Sequence, residues 1–283
     1  MTRVGLVCDS TCDLGPQWLA DHDIRMVPLK VLFGSESFLD WIDLTPEQFY
    51  TRLASSQSLP KTSQPSPADF AAAYAALAES GCEEIVSIHL TSALSGTFES
   101  ATMAAVDSPV PVRIVDTKTV SLATGLAIKL ALEARDAGKS AAEIEDAARE
   151  AAESSRLFFI LDTLEYLVKG GRAGKAAGLA ASVLNIKPIL TFNNEGTIEP
   201  FKKVKGFKKA LGELAAHVAE DAGGKRIRLS ILHGAAPELA GQVTAALDSA
   251  GVSYELDTVE SVGAVIGTYA GPGAVGIAYL PHS

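Results

Sequence analysis

The sequence predicts an α/β protein of two domains, and three observations carry the prediction. Short β-branched runs alternate with helical stretches from residue 4 to residue 116, the order that builds a mostly parallel sheet with helices on its faces. A chain of 283 residues is long for one hydrophobic core. Beyond two Ala-rich helical stretches, 120–137 and 141–154, the strand pattern restarts and adds a hairpin whose tip reads Asn193-Asn194-Glu195-Gly196. Residues 1–155 are therefore expected as a three-layer sandwich around a mostly parallel sheet. Residues 156–283 are expected as a smaller two-layer unit of mixed sheet and helices.

Residues 4–8 form an apolar run ending in Asp9-Ser10-Thr11, a strand leading into a polar loop. Residues 24–33 read as a second strand, turning at Gly34-Ser35-Glu36 toward 38–42. Thr45-Pro46 opens a helix through Phe49, Tyr50 and Leu53, because a threonine hydroxyl caps free N–H groups and proline suits the first helical position. A polar loop over 55–66 follows. Ser66, with Asp69 three residues on, caps a helix over 67–79. Strand 84–90, helix 97–106 and strand 112–115 complete the first half. In the second half, strands are expected at 157–161, 189–192, 197–204, 227–232, 254–259 and 275–280, with helices at 207–220 and 237–250.

Composition narrows the function. The net charge of −10 argues against nucleic acid, whose binders neutralise phosphates, and against anionic membranes. Three cysteines, Cys8, Cys12 and Cys82, are too few and too scattered for a zinc site, and they fit a reducing, cytoplasmic setting. The two most apolar stretches, 176–190 and 264–280, are broken by Asn185, Lys187 and Pro188 and by Gly267, Gly271, Pro272, Gly273 and Gly276, so neither reads as a membrane span.

Three catalytic patterns fail on inspection. Gly271-Pro-Gly273-Ala-Val-Gly276 matches a dinucleotide fingerprint by letter, but a strand follows it where a helix is required. Gly170-Gly171-Arg172-Ala173-Gly174-Lys175 lacks the first glycine of a phosphate loop and has Ala176 where Ser or Thr is needed. No G-x-S-x-G elbow exists, and His22, His89, His217, His233 and His282 are scattered. His89 and His233 fall near strand ends, where loop backbone gives them ordinary partners. A hydrolase using Ser95 or another loop serine stays open as an alternative.

Two hydroxyl-rich segments precede helix starts, Lys61-Thr62-Ser63-Gln64-Pro65-Ser66 and Thr91-Ser92-Ala93-Leu94-Ser95-Gly96-Thr97. The second lies at the carboxyl end of a strand, where open α/β sheets bind ligands and where a helix start favours a small anion. Neutral hydroxyl donors suit a carboxylate; ordinary helix capping is the competing explanation. Asp9, Ser10 and Asp116 fall on the same edge and are read as loop caps. Five lysines within 202–209 stand out against the acidic balance, either as a solvated hairpin end or as a docking patch.

Asp9-Ser-Thr-Cys-Asp13-Leu14, Lys61-Thr-Ser-Gln-Pro-Ser66, Leu94-Ser-Gly-Thr97, Lys169-Gly-Gly-Arg172, Ile186-Lys-Pro188 and Gly271-Pro-Gly-Ala-Val-Gly276 follow in the order seen in the DegV family, and the resemblance runs through essentially the whole chain. It implies two α/β domains enclosing a long-chain fatty acid such as palmitate or oleate. It further implies a non-catalytic subunit that presents the carboxylate to a separate ATP-dependent fatty acid kinase, with no metal or other cofactor. By the same resemblance Thr62, Ser95, Gly96 and Tyr269 are expected at the carboxylate. Arg172 is expected near the mouth, and Lys205 where the kinase would dock. Two positions depart from the pattern: Tyr269 stands where many members have His, and Lys205 where many have Arg. Lysine keeps the charge but loses the bidentate fork. A fatty-acid carrier uncoupled from any kinase is thus a further alternative. About 16 carbons at ~0.8 kcal/mol per buried methylene offer roughly 12 kcal/mol before costs, which a closed apolar tunnel captures if the acid end keeps its partners.

Overall fold

The computed structural model describes residues 2–179 and 186–281. His282 and residues 180–185 of the apolar stretch lie outside these. The chain opens with β1 (Val4–Asp9), α1 (Pro16–Asp21) and β2 (Ile24–Val27). Pro28 has no N–H to donate to a ladder, and the run expected as one strand breaks there into β2 and β3 (Lys30–Phe33), which belong to different sheets. Next come β4 (Glu36–Leu39), α2 (Pro46–Ser55), β5 (Lys61–Ser63), α3 (Pro67–Glu79), β6 (Glu84–His89), α4 (Thr97–Ala105), β7 (Val112–Asp116), α5 (Ser121–Asp136) and α6 (Ala141–Ser154). Capping boxes Thr45–Gln48, Ser66–Asp69 and Ser140–Glu143 fix the starts of α2, α3 and α6.

The first sheet is fully parallel, in the order β2-β1-β6-β7. The period of two in its strands divides the core. Val7 and Ile85 point to Phe70, Tyr74, Ala101 and Ala104 of α3 and α4. Leu6, Cys8, Val86 and Ile88 point to Leu122, Leu126, Ile144 and Ala148 of α5 and α6. A separate antiparallel ribbon, β4-β3-β5, lies beside it.

The second half holds β8 (Arg156–Ile160), α7 (Glu165–Lys169), β9 (Ile186–Phe192), β10 (Ile198–Lys205), α8 (Phe207–Ala222), β11 (Ile227–His233), α9 (Glu238–Ser249), β12 (Tyr254–Ser261), α10 (Ala264–Ala270) and β13 (Val275–Pro281). Its sheet is mixed and six-stranded, ordered β10-β9-β8-β13-β11-β12, against four strands in the first. One face, with Phe158, Ile160, Leu229, Ile231, Ile277 and Tyr279, packs on Leu211, Leu214, Val218, Val243 and Leu247 of α8 and α9. The other face turns Leu157, Leu232 and Ala278 into the core of the first half. Among the described residues, no helix is long and apolar enough to cross a membrane.

Two carboxylates from the first half grip the start of α10. Asp40 accepts from Ala264 N at 2.8 Å and Val265 N at 3.4 Å, and from the Ser10 hydroxyl at 2.8 Å. Asp13 accepts from Gly263 N at 2.8 Å and from the Ser121 hydroxyl at 2.5 Å. Burial pushes Asp13 up to about 8 and Asp40 up to about 7, from an ordinary 3.8, despite these donors. A raised folded-state value means the fold favours the protonated acid. The stability these groups contribute is complete below about pH 4 and is lost as pH rises toward about 8. Asp40→Asn keeps the acceptor for Ala264 N without a titrating charge. We expect thermal melts of this variant to lose less stability between about pH 5 and about pH 8 than the parent; equal slopes would contradict the assignment.

Candidate functional site

The carboxyl edge of the parallel sheet faces the inner side of the mixed sheet across a cavity of about 300 Å³. Loop residues after β2, β6 and β7, namely Leu29, Leu90, Leu94 and Val120, line one side, and Leu157, Phe159, Leu161, Phe192 and Leu232 line the other. The strand period explains the second set. Leu157, Phe159 and Leu161 alternate out of β8 and its end on one face, so the lined length along this strand is roughly 13 Å at ~3.4 Å per residue. Helix α10 closes a flank with Val265, Ile266, Tyr269 and Ala270. A cavity walled so largely by aliphatic side chains suits an alkyl chain.

Its polar residues gather from three segments. Thr62 sits on β5, whose pairing with Val31 holds it in place, and its hydroxyl meets the Tyr269 hydroxyl at 2.5 Å. Ser95 precedes α4; its hydroxyl contacts Thr97 Oγ1 at 2.8 Å and accepts from Thr97 N at 3.3 Å. Gly96 is the N-cap of α4, whose first-turn N–H groups have no partner within the helix itself. A Cβ on Gly96 would collide with the Gln64 amide, so only glycine lets that amide lie flat there. Arg172, half-buried, donates to Gly170 O at 2.9 Å and to Leu94 O at 3.4 Å, with its guanidinium 5.2 Å from the Tyr269 ring centre.

Thr62, Ser95, Arg172 and Tyr269 all line the cavity, and Gly96 lies beside them under Gln64. Thr62, Arg172 and Tyr269 also line a second cleft of about 600 Å³, which includes Ser56, Gln57, Ser58, Lys61, Glu165 and Lys169. The three shared residues line both the apolar chamber and this more polar cleft. Lys205 is elsewhere: it is exposed at the end of β10, opposite Ile186, and lines neither cavity. Sequence reasoning did not single out Gln64, Ser63 or Ser121, which also line the chamber. Gln64 lay inside a quoted motif, and its position two residues past Thr62 was the available signal.

The edge residues read as loop caps act as such. Asp9 accepts from Thr11 N and Leu90 N, and Asp116 from Ser92 N and Lys118 N. Asp9 also meets His89 Nδ1 at 3.0 Å, and His89 Nε2 meets Ser87 Oγ at 2.7 Å, an acid-imidazole-hydroxyl chain that spacing in sequence concealed. Ser87 is bonded to Tyr74 as well, and Asp9, His89 and Ser87 are all fully buried, so the chain stitches β1, β6 and α3 together with no path for a substrate. Gly271 ends α10 and a strand follows, which disposes of the dinucleotide pattern. Among the described residues, no group of His, Cys, Asp and Glu could hold a metal ion.

Residues 3–282 match the sequence model of a family described as "Uncharacterised protein, DegV family". A DegV domain-containing protein of Streptomyces coelicolor is 37% identical over 275 residues, spanning 97% of each chain. Among solved structures, a DegV family protein from Thermus thermophilus, whose structure is described as fatty acid binding, superposes with a TM-score of 0.92 at 34% identity, over 99% of this chain and 100% of that one. DegV of Bacillus subtilis, described as a fatty acid binding protein, gives 0.89 at 33% identity over 100% of both. With its parallel and mixed sheets closing on one apolar chamber, this chain belongs to the DegV family.

Proposed function

We propose that this protein holds one long-chain fatty acid, its tail in the 300 Å³ chamber and its carboxylate among Thr62, Ser95, Gly96, Arg172 and Tyr269. The observation that carries the reading is a largely apolar chamber at whose wall the Thr62, Ser95 and Tyr269 hydroxyls and the Arg172 guanidinium stand near the start of α4. The tail supplies affinity and the head group sets orientation. A buried carboxylate needs such partners, because an unpaired buried charge costs several kcal/mol. Residues 1–155 and 156–283 act as two domains closing on the ligand from opposite sides.

The protein itself performs no chemistry in this reading. It presents the carboxylate through the more polar cleft to a separate ATP-dependent kinase subunit, with the exposed lysines around Lys205 as a docking patch. Its carrier role is supported by the largely aliphatic lining of the chamber. Organic extraction of the purified protein followed by mass spectrometry, with uptake of added palmitate or oleate, tests the carrier role. Finding neither a bound acyl chain nor uptake would end it. Acyl phosphate formation in the presence of ATP and a partner kinase, compared between the parent and Lys205→Ala, tests the coupling separately.

A further inference from the structure

We propose that Leu232, folded over Gly276, sets the width of the tail chamber and thereby which tail shapes it admits; this rests on the fatty-acid reading above. In the mixed sheet Gly276 pairs with Phe159 on one side and Leu232 on the other, so the three share the face that lines the chamber. Leu232 and Phe159 are both wall residues, and Gly276 between them has no side chain. Two residues on, the same face of the strand carries only the methyl group of Ala278, and Ala274, just before the strand, also lines the chamber.

A Cβ built on Gly276 would lie 2.8 Å from Leu232 Cδ1 and 3.1 Å from Phe159 Cβ. That space is therefore already taken by the tip of Leu232, which lies down across the glycine. It does so at a strand position where glycine is otherwise a liability. Its backbone φ is not among the positive values, so no turn or strain requires glycine here. The close approach of the leucine does. Adding one methyl leaves Phe158 O, 3.0 Å away, fixed by the sheet, and Leu232 Cδ1 as the mobile neighbour. The leucine must lift, and the open side is the chamber. Leu232 thus works as a gauge: flat, it leaves room for a tail broadened by a cis double bond or a methyl branch, and raised, it leaves room for a straight tail only.

The test compares stearic acid, oleic acid and a methyl-branched saturated acid of the same carbon number, by displacement of a fluorescent fatty acid. Gly276→Ala should weaken oleic and branched binding at least tenfold relative to stearic. Leu232→Ala should move that ratio the opposite way by several-fold, and the double variant should resemble Leu232→Ala, because the added methyl then has no leucine to raise. Equal shifts for all three acids in every variant, with thermal melts showing each folded, would overturn the gauge alone. Should Gly276→Ala not fold, the opposite shift in Leu232→Ala still decides, since that change only removes atoms. A parent protein that binds none of the three acids overturns the fatty-acid reading, and the gauge with it.

Discussion

Leu94→Trp is expected to abolish fatty-acid binding, by about 100-fold or more, while leaving the far-ultraviolet dichroism of the protein unchanged. Leu94 is only half-buried, so a larger side chain there is not forced into a closed core. It packs against two clusters at once, one built around Leu29, Leu90 and Leu157 and the other around Leu161, Leu167 and Ile198. Phe159 and Phe192, with ring centres 6.1 Å apart, touch both clusters as well. An indole entering at that junction occupies space a tail must cross. A 100-fold loss corresponds to ~2.7 kcal/mol, the burial of only three or four methylenes, so the figure is a lower bound for a blocked chamber. Isothermal titration with palmitate measures it. Parental affinity in this variant would mean that acyl chains, if bound, lie elsewhere.

Arg172→Ala is expected to weaken palmitate by about 10- to 100-fold, the range for losing a hydrogen bond to a charged group at ~1.5–3 kcal/mol. The same change should leave the methyl ester of palmitic acid nearly unaffected, because the ester has no charge for the guanidinium to meet. That contrast separates head-group recognition from general damage. Arg172 also donates to Gly170 O and Leu94 O, so truncation alone loosens the wall. Arg172→Lys supplies the control: it keeps the charge without the fork and should recover part of the acid's affinity. If acid and ester fall together in Arg172→Ala and neither recovers in the lysine variant, the residue is structural.

Local chemistry made several parts of the fold readable. Thr45 with Pro46, and Ser66 with Asp69 three residues on, each begin a helix as their local chemistry predicts. Residues 193–196 turn the hairpin between β9 and β10. What escaped was short or was decided at a distance. Helices α7 and α10, of 5 and 7 residues, are too brief for a period of 3.6 to declare itself, yet α10 carries Tyr269 to Thr62. Residues 61–63, read as part of a loop, become β5 because β3 offers an unpaired edge. The candidate head-group residues were named through their motifs, but only the coordinates bring Thr62 and Tyr269, 207 positions apart, into contact.

Taken alone, the order of residues determined the α/β class, the capped helices, the hydroxyl-rich segments and the motif set of the family. Each of these is written in neighbours a few positions apart, where hydrogen-bonding reach and side-chain period act directly. Tertiary structure decided the rest: that Pro28 divides two sheets, that Asp13 and Asp40 anchor α10 from the other half of the chain, and that Arg172 and Tyr269 come to line an apolar chamber. A cavity belongs to no residue. It exists only where surfaces distant in sequence meet without filling the space between them, so its place follows from packing and cannot be read from local pattern.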